Sequence, residues 1–147
     1  MASSIRLSWS LPAALLASTV VLSLLAIIGP ADAGGPTCFG QPATRVGTSG
    51  RDVIDGGPGA DVIVARGGND DIDGGGGNDR ICGGRGSDEI GGDAGNDRLA
   101  GGRGNDELDG DAGNDILRGG KGFDDLDGEG GTDTCTGGEN VDESCEN

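Results

Sequence analysis

Ten aspartates stand nine residues apart: Asp52, Asp61, Asp70, Asp79, Asp88, Asp97, Asp106, Asp115, Asp124 and Asp133. A glycine precedes each by two positions, from Gly50 to Gly131, and a branched aliphatic follows the first nine by two, from Ile54 to Leu126. A carboxylate that returns on a fixed turn suits a hard cation that takes oxygen ligands. Histidine is absent, which removes the usual general base and the commonest zinc or copper ligand. No catalytic triad forms without it, and no carboxylate leaves the periodic pattern as one half of an acid–base pair. The chain therefore reads as a binding protein and not as an enzyme.

The elements that must position these carboxylates follow from the period, because a fixed repeat marks a stacked architecture. Counted from Gly50, position one is always glycine, position three always aspartate, and position two is often asparagine (Asn69, Asn78, Asn96, Asn105, Asn114). Position five carries the aliphatics and then Cys135; position seven is glycine except at Ala65; position eight is glycine or acidic, with Arg66 the exception. Three residues such as Val62-Ile63-Val64 make a short strand with its middle side chain inward. The remaining six, such as Gly83 to Asp88, make a turn. There glycine permits positive φ, and Asn or Asp tolerates left-handed geometry and bonds its own turn. A helix is excluded, since this much interior glycine costs about 1 kcal/mol per site against alanine.

Composition sets the boundary conditions. The chain has 147 residues, 34 of them glycine, and a net charge of −16. Low hydrophobicity with high charge fits a disordered polyanion, but the order of the residues argues against that reading once the acid is neutralised. A nucleic-acid or anionic-lipid surface would be basic, so neither is an expected partner. Residues 71–74 resemble the first half of an EF-hand loop, yet counted from Asn69 the position that requires glutamate is Arg80. A dinucleotide fingerprint is excluded because these glycines do not open a helix after a long strand.

Residues 1–33 read as a secretory signal peptide: Arg6 supplies the positive charge, Leu11 to Ile28 the apolar core, and Ala31-Asp32-Ala33 the small residues before a cleavage at Gly34. The protein is expected to be exported and free of the membrane after cleavage. The four cysteines, Cys38, Cys82, Cys135 and Cys145, then suit disulfides. Three pairings are possible. We favour Cys135–Cys145, which closes a short loop, leaving Cys38–Cys82.

The units Gly74-Gly75-Gly76-Gly77-Asn78-Asp79-Arg80-Ile81-Cys82 and Gly101-Gly102-Arg103-Gly104-Asn105-Asp106-Glu107-Leu108-Asp109 carry a family resemblance. The pattern Gly-Gly-x-Gly-x-Asp-x-aliphatic-x is similar to the RTX (hemolysin-type) calcium-binding nonapeptide, a β-helix repeat. The resemblance implies an all-β fold, a parallel β-roll (a β-solenoid) of about five coils and roughly 25 Å in height. Two units make one coil. Calcium lies between turns of units n and n+2, held by both aspartates and by turn carbonyls. This pairs Asp52 with Asp70, Asp61 with Asp79, and so on to Asp115 with Asp133, implying about eight ions. About eight divalent ions would offset a charge of −16, with salt bridges from Arg80, Arg98 or Arg118 contributing. The pattern weakens after Asp133, where Asn140 replaces a glycine and Ser144 an aliphatic.

The domain reading is thus a signal peptide at 1–33, an N-terminal cap at 34–49, the roll at 50–139 and a C-terminal cap at 140–147. Pro36, Pro42, Glu143 and Glu146 are expected to blunt the exposed ends. The expected function is a secreted calcium-binding protein that folds on binding. The alternative is a calcium-stiffened adhesive or structural module with a cell-surface partner.

Overall fold

The computed structural model describes residues 35–141 and Cys145, and among them there are strands and turns but no helix. The signal-peptide segment, Glu143, Ser144 and Glu146 lie outside the described residues. Two six-stranded parallel sheets make up the body. One stacks Val53–Asp55, Asp71–Asp73, Glu89–Gly91, Glu107–Asp109, Asp125–Asp127 and Asn140–Val141. The other stacks Arg45–Val46, Val62–Val64, Arg80–Arg85, Arg98–Arg103, Ile116–Lys121 and Thr134–Thr136. The chain alternates between the sheets, so each coil is one strand from each and the whole is a β-solenoid of about five turns.

Alternation within each short strand explains the packing. In Asp71–Asp73 the middle residue, Ile72, is buried while its neighbours face outward. Successive middle residues meet in register, Ile54 on Ile72 on Ile90 in one sheet and Ile81 on Leu99 on Leu117 in the other. Each fully buried member contributes on the order of 1.5–3 kcal/mol. Cys135 closes the second column above Leu117, and both it and Cys145 join the core.

Three details differ from the sequence expectation. Three even-unit strands run for 6 residues, not three, because their Gly-Gly-Arg or Gly-Gly-Lys turns also pair with the coil above, Gly84 on Gly102 on Gly120. Stacked turns of equal shape satisfy one another's backbone groups. The last coil is shorter: Leu126 faces Val141, and Glu139 and Asn140 both donate to the carbonyl of Asp124. Parallel pairing also begins as early as Arg45.

Residues Thr37–Cys38 and Gln41–Pro42 form an antiparallel hairpin. Its two loop residues, Phe39 and Gly40, have φ of 47° and 76°, as a type I′ turn requires. The hairpin lies against the second sheet. Cys38 is joined to Cys82, and the Phe39 ring sits 5.4 Å from the Arg118 guanidinium. The second disulfide joins Cys135 to Cys145. Both favoured pairings are therefore present.

Candidate metal centre

Every aspartate of the ladder sits at the end of a turn, just before a strand, with its side chain directed inward. Asp70, Asp79, Asp88, Asp97, Asp106, Asp115, Asp124 and Asp133 are all buried, none more than 2% exposed. Burying a carboxylate is costly unless it is paired or hydrogen-bonded. Half of that requirement is met within the chain. The Oδ1 of each accepts the backbone N–H of the aspartate one coil below: Asp79 N–H to Asp97 at 2.7 Å, Asp97 N–H to Asp115 at 2.7 Å, Asp88 N–H to Asp106 at 3.0 Å. The same bond links Asp52 to Asp70, Asp61 to Asp79, Asp70 to Asp88, Asp106 to Asp124 and Asp115 to Asp133. The aspartates brought together are thus those of units n and n+2.

The other half is not met. The Oδ2 atoms of the same eight aspartates are buried and have no hydrogen-bond partner. Their surroundings are specific. A Cβ placed on Gly74, Gly92 or Gly110 would lie 2.9 Å from the Oδ2 of Asp79, Asp97 or Asp115. It would also lie 2.9–3.0 Å from the carbonyl oxygen of Gly92, Gly110 or Gly128 in the coil above. On the opposite side of the roll, Oδ2 of Asp88, Asp106 and Asp124 faces Gly83, Gly101 and Gly119 in the same way. The bare glycine at position seven leaves a small space walled by a carboxylate oxygen and a carbonyl oxygen, both hard donors of the kind calcium takes. No group of three acidic, histidine or cysteine side chains converges among the described residues, so any ion here depends on main-chain oxygens as well as on the paired aspartates.

Electrostatics points the same way. Burial pushes the carboxyls of Asp97 and Asp106 up from 3.8 to about 6, against the N–H bonds from Asp79 and Asp88, with neighbouring ladder carboxylates adding to the rise. Asp79, Asp88 and Asp115 shift upward for the same first reason. The ladder's own residues supply too little positive charge to balance it.

Asp52 and Asp61, at the N-terminal end, are placed differently. Both are only half-buried. The Oδ2 of Asp52 accepts the Thr48 N–H at 2.7 Å, and Oδ1 of Asp61 accepts the Thr44 hydroxyl at 3.0 Å and lies 3.6 Å from Arg45 Nε. The chain itself covers these two carboxylates. Ala65 replaces the position-seven glycine beside Asp70 and is fully buried. Arg66 keeps the turn by adopting φ 81°, much as Gly84 adopts 115°. Reasoning from sequence did not single out Thr44 or Thr48, and it noted the position-seven glycines without this role. The near-invariance of that glycine was the available signal.

The asparagines act otherwise than expected. None of the five has positive φ; among the described residues the non-glycines that do are Phe39, Arg66, Asp93, Asp111 and Glu129. Each asparagine reaches into the next coil instead of its own turn: Asn78 Oδ1 accepts the Asn96 N–H at 2.8 Å, and Asn96 Oδ1 accepts that of Asn114 at 2.8 Å. Stacking at an 18-residue offset brings a fresh donor within reach of each side chain. Arg80, Arg98 and Arg118 form no salt bridge among the described residues; only Arg45 with Asp61 and Arg51 with Asp71 do. The three lie on the strands of the second sheet, away from the acid of the first.

Parallel coils with a carboxylate at each corner, and a bare glycine beside all but one of the buried carboxylates, define a calcium-binding β-solenoid as the class of protein. The profile of the family described as RTX calcium-binding nonapeptide repeat (4 copies) matches residues 46–81, 56–90, 77–108, 91–126 and 109–143. These matches together span two thirds of the chain, and the chain belongs to this family. No curated protein and no solved structure gives a significant match.

Proposed function

We propose that the protein is an exported calcium-binding β-roll that folds as its turns load. The observation that carries this reading is the set of eight buried Oδ2 atoms without a partner; the seven from Asp79 to Asp133 each lie beside a position-seven glycine, and on both sides of the roll a carbonyl oxygen of the coil above lies near such glycines. Asp70 to Asp133 are the side chains that would hold the ions, with Asp52 and Asp61 completing the first pairs. Bound calcium would supply the positive charge that the ladder lacks and would tie each turn to the turn one coil above. The chain's part is to hold the carboxylates in pairs, with Oδ1 anchored on a backbone N–H so that Oδ2 stays directed into its pocket. Magnesium suits the arrangement less, because it demands near-octahedral geometry and dehydrates reluctantly. Without metal the charged ladder is self-repelling, which makes folding dependent on binding. The signal-like residues 1–33 and two disulfides support export to an oxidising, calcium-rich medium.

Circular dichroism and equilibrium dialysis of oxidised residues 34–147 during a calcium titration test this. Cooperative gain of β-structure with retention of several ions is expected. A chain that stays random coil and retains no calcium at several millimolar overturns the proposal.

A further inference from the structure

Most charges outside the ladders are sorted by strand, with Arg51 beside Asp71 the exception. No strand from Val53–Asp55 to Asp125–Asp127 in the first sheet contains lysine or arginine, and no strand of the second sheet contains aspartate or glutamate. On the first sheet Asp71, Glu89, Glu107 and Asp125 stand in one row, each beside the next. Arg85, Arg103 and Lys121 form a row of exposed cations on the turns that lead from the second sheet to the first, and Arg80 and Arg98 are adjacent in another row on the second sheet itself. Like charges opposite one another on neighbouring strands are destabilising, so neither row is explained by the stability of the roll. None of these five cations has an ion pair within the chain among the described residues. Arg85, Arg103 and Lys121 are exposed, and Arg80 and Arg98 are half-buried.

We infer that the acidic sheet face of one copy docks on the cationic side of a second copy of this chain. Both rows climb by one strand spacing per residue, about 4.8 Å, so carboxylates and cations meet rung for rung. Acid against acid repels, which disfavours a two-fold dimer. Acid against base leaves an unused face on each outer copy, and such a contact grows into open lateral rows. The inference rests on the calcium reading: at −16 the copies repel one another until the ladders are neutralised.

Sedimentation velocity on the oxidised, calcium-loaded protein tests it, at about 20 mM and about 500 mM salt, since screening shortens the reach of such pairs from tens of ångströms to a few. Concentration-dependent association is expected at low salt, reverting to monomer at high salt. Glu89→Lys with Glu107→Lys, and separately Arg85→Glu with Arg103→Glu, should each leave a calcium-loaded monomer; mixing the two variants should restore association. A wild-type monomer at low salt, with β-structure and calcium verified on the same sample, overturns the docking alone. So does undiminished association of either variant; in the Arg85→Glu, Arg103→Glu variant it would point to calcium bridging two acidic faces. Absence of both calcium and β-structure overturns the functional reading and the docking with it.

Discussion

Asp97 shows the chemistry of the ladder in one side chain. Its Oδ1 accepts the Asp79 N–H, its own N–H serves Asp115, and its Oδ2 is buried without a partner. In the proposed pairing it belongs to two sites, one with Asp79 and one with Asp115. Asp97→Asn preserves the shape and the Oδ1 acceptor but removes the charge. We expect it to lower calcium stoichiometry by about one to two ions on equilibrium dialysis, given how strongly affinity follows ligand charge. Asp109→Asn, on the outer surface, should leave the stoichiometry unchanged even though burial also raises Asp109 to about 6. Gly92→Ala sets a Cβ 2.9 Å from Asp97 Oδ2 and 2.9 Å from the Gly110 carbonyl. Overpacking of this kind costs about 1–3 kcal/mol, so its melting temperature in calcium should fall well below that of Gly76→Ala, where an added Cβ meets nothing within 4 Å. The aspartates and aliphatics were legible at this scale, because their spacing alone tells which face of a strand or turn they occupy. The asparagines were misread, because a single turn contains no sign that the donor for its side chain arrives 18 residues later.

Each column of turns is an element in its own right, and its acid–base behaviour follows from burial. Asp97 and Asp106 titrate at about 6 in the calcium-free roll against 3.8 when exposed. A raised carboxyl favours the folded state when protonated. The stabilisation is therefore complete below the unfolded value and is lost as pH rises through about 6. Without calcium, β-structure should increase as pH is lowered from about 7 to about 4, measured by far-ultraviolet circular dichroism in chelator. With calcium the order inverts, since the ligands must be deprotonated to bind, and the calcium needed for half-folding should rise on acidification. A chelated chain insensitive to pH across this window would contradict the burial argument. The strands were legible from their aliphatic middles, but the extension of Arg80–Arg85, Arg98–Arg103 and Ile116–Lys121 into their turns was not. It arises from pairing with the coil above, which a unit read singly does not display.

For the molecule as a whole, the disulfides and the sorting of charge matter most. Cys38–Cys82 spans 44 residues and ties the hairpin across the second sheet. Replacing both cysteines by serine should lower stability by about 3–4 kcal/mol on the loop-entropy scale, seen as a lower denaturation midpoint at saturating calcium. Calcium stoichiometry should be unchanged, because neither cysteine lies in a ladder. A charge pattern read with a period of nine mixes acidic and basic units. Read with a period of 18, the register offset of the strands, it separates into an acidic sheet and a basic side. In the proposed docking, that separation sets the acidic sheet of one copy against the cations of the next.

What the sequence determined by itself was the repeat, the inward aliphatic, the carboxylate at each corner and hence the all-β stack. These depend only on local alternation and on a period counted along the chain. What the tertiary structure decided was which oxygen of each aspartate is held by a backbone N–H and which is left open. It also decided which residues cover Asp52 and Asp61, where the hairpin lies, and how the last coil shortens so that Val141 faces Leu126. Apart from Thr48, four residues before Asp52, these depend on neighbours far along the chain, and only the closed stack of coils brings such neighbours into contact.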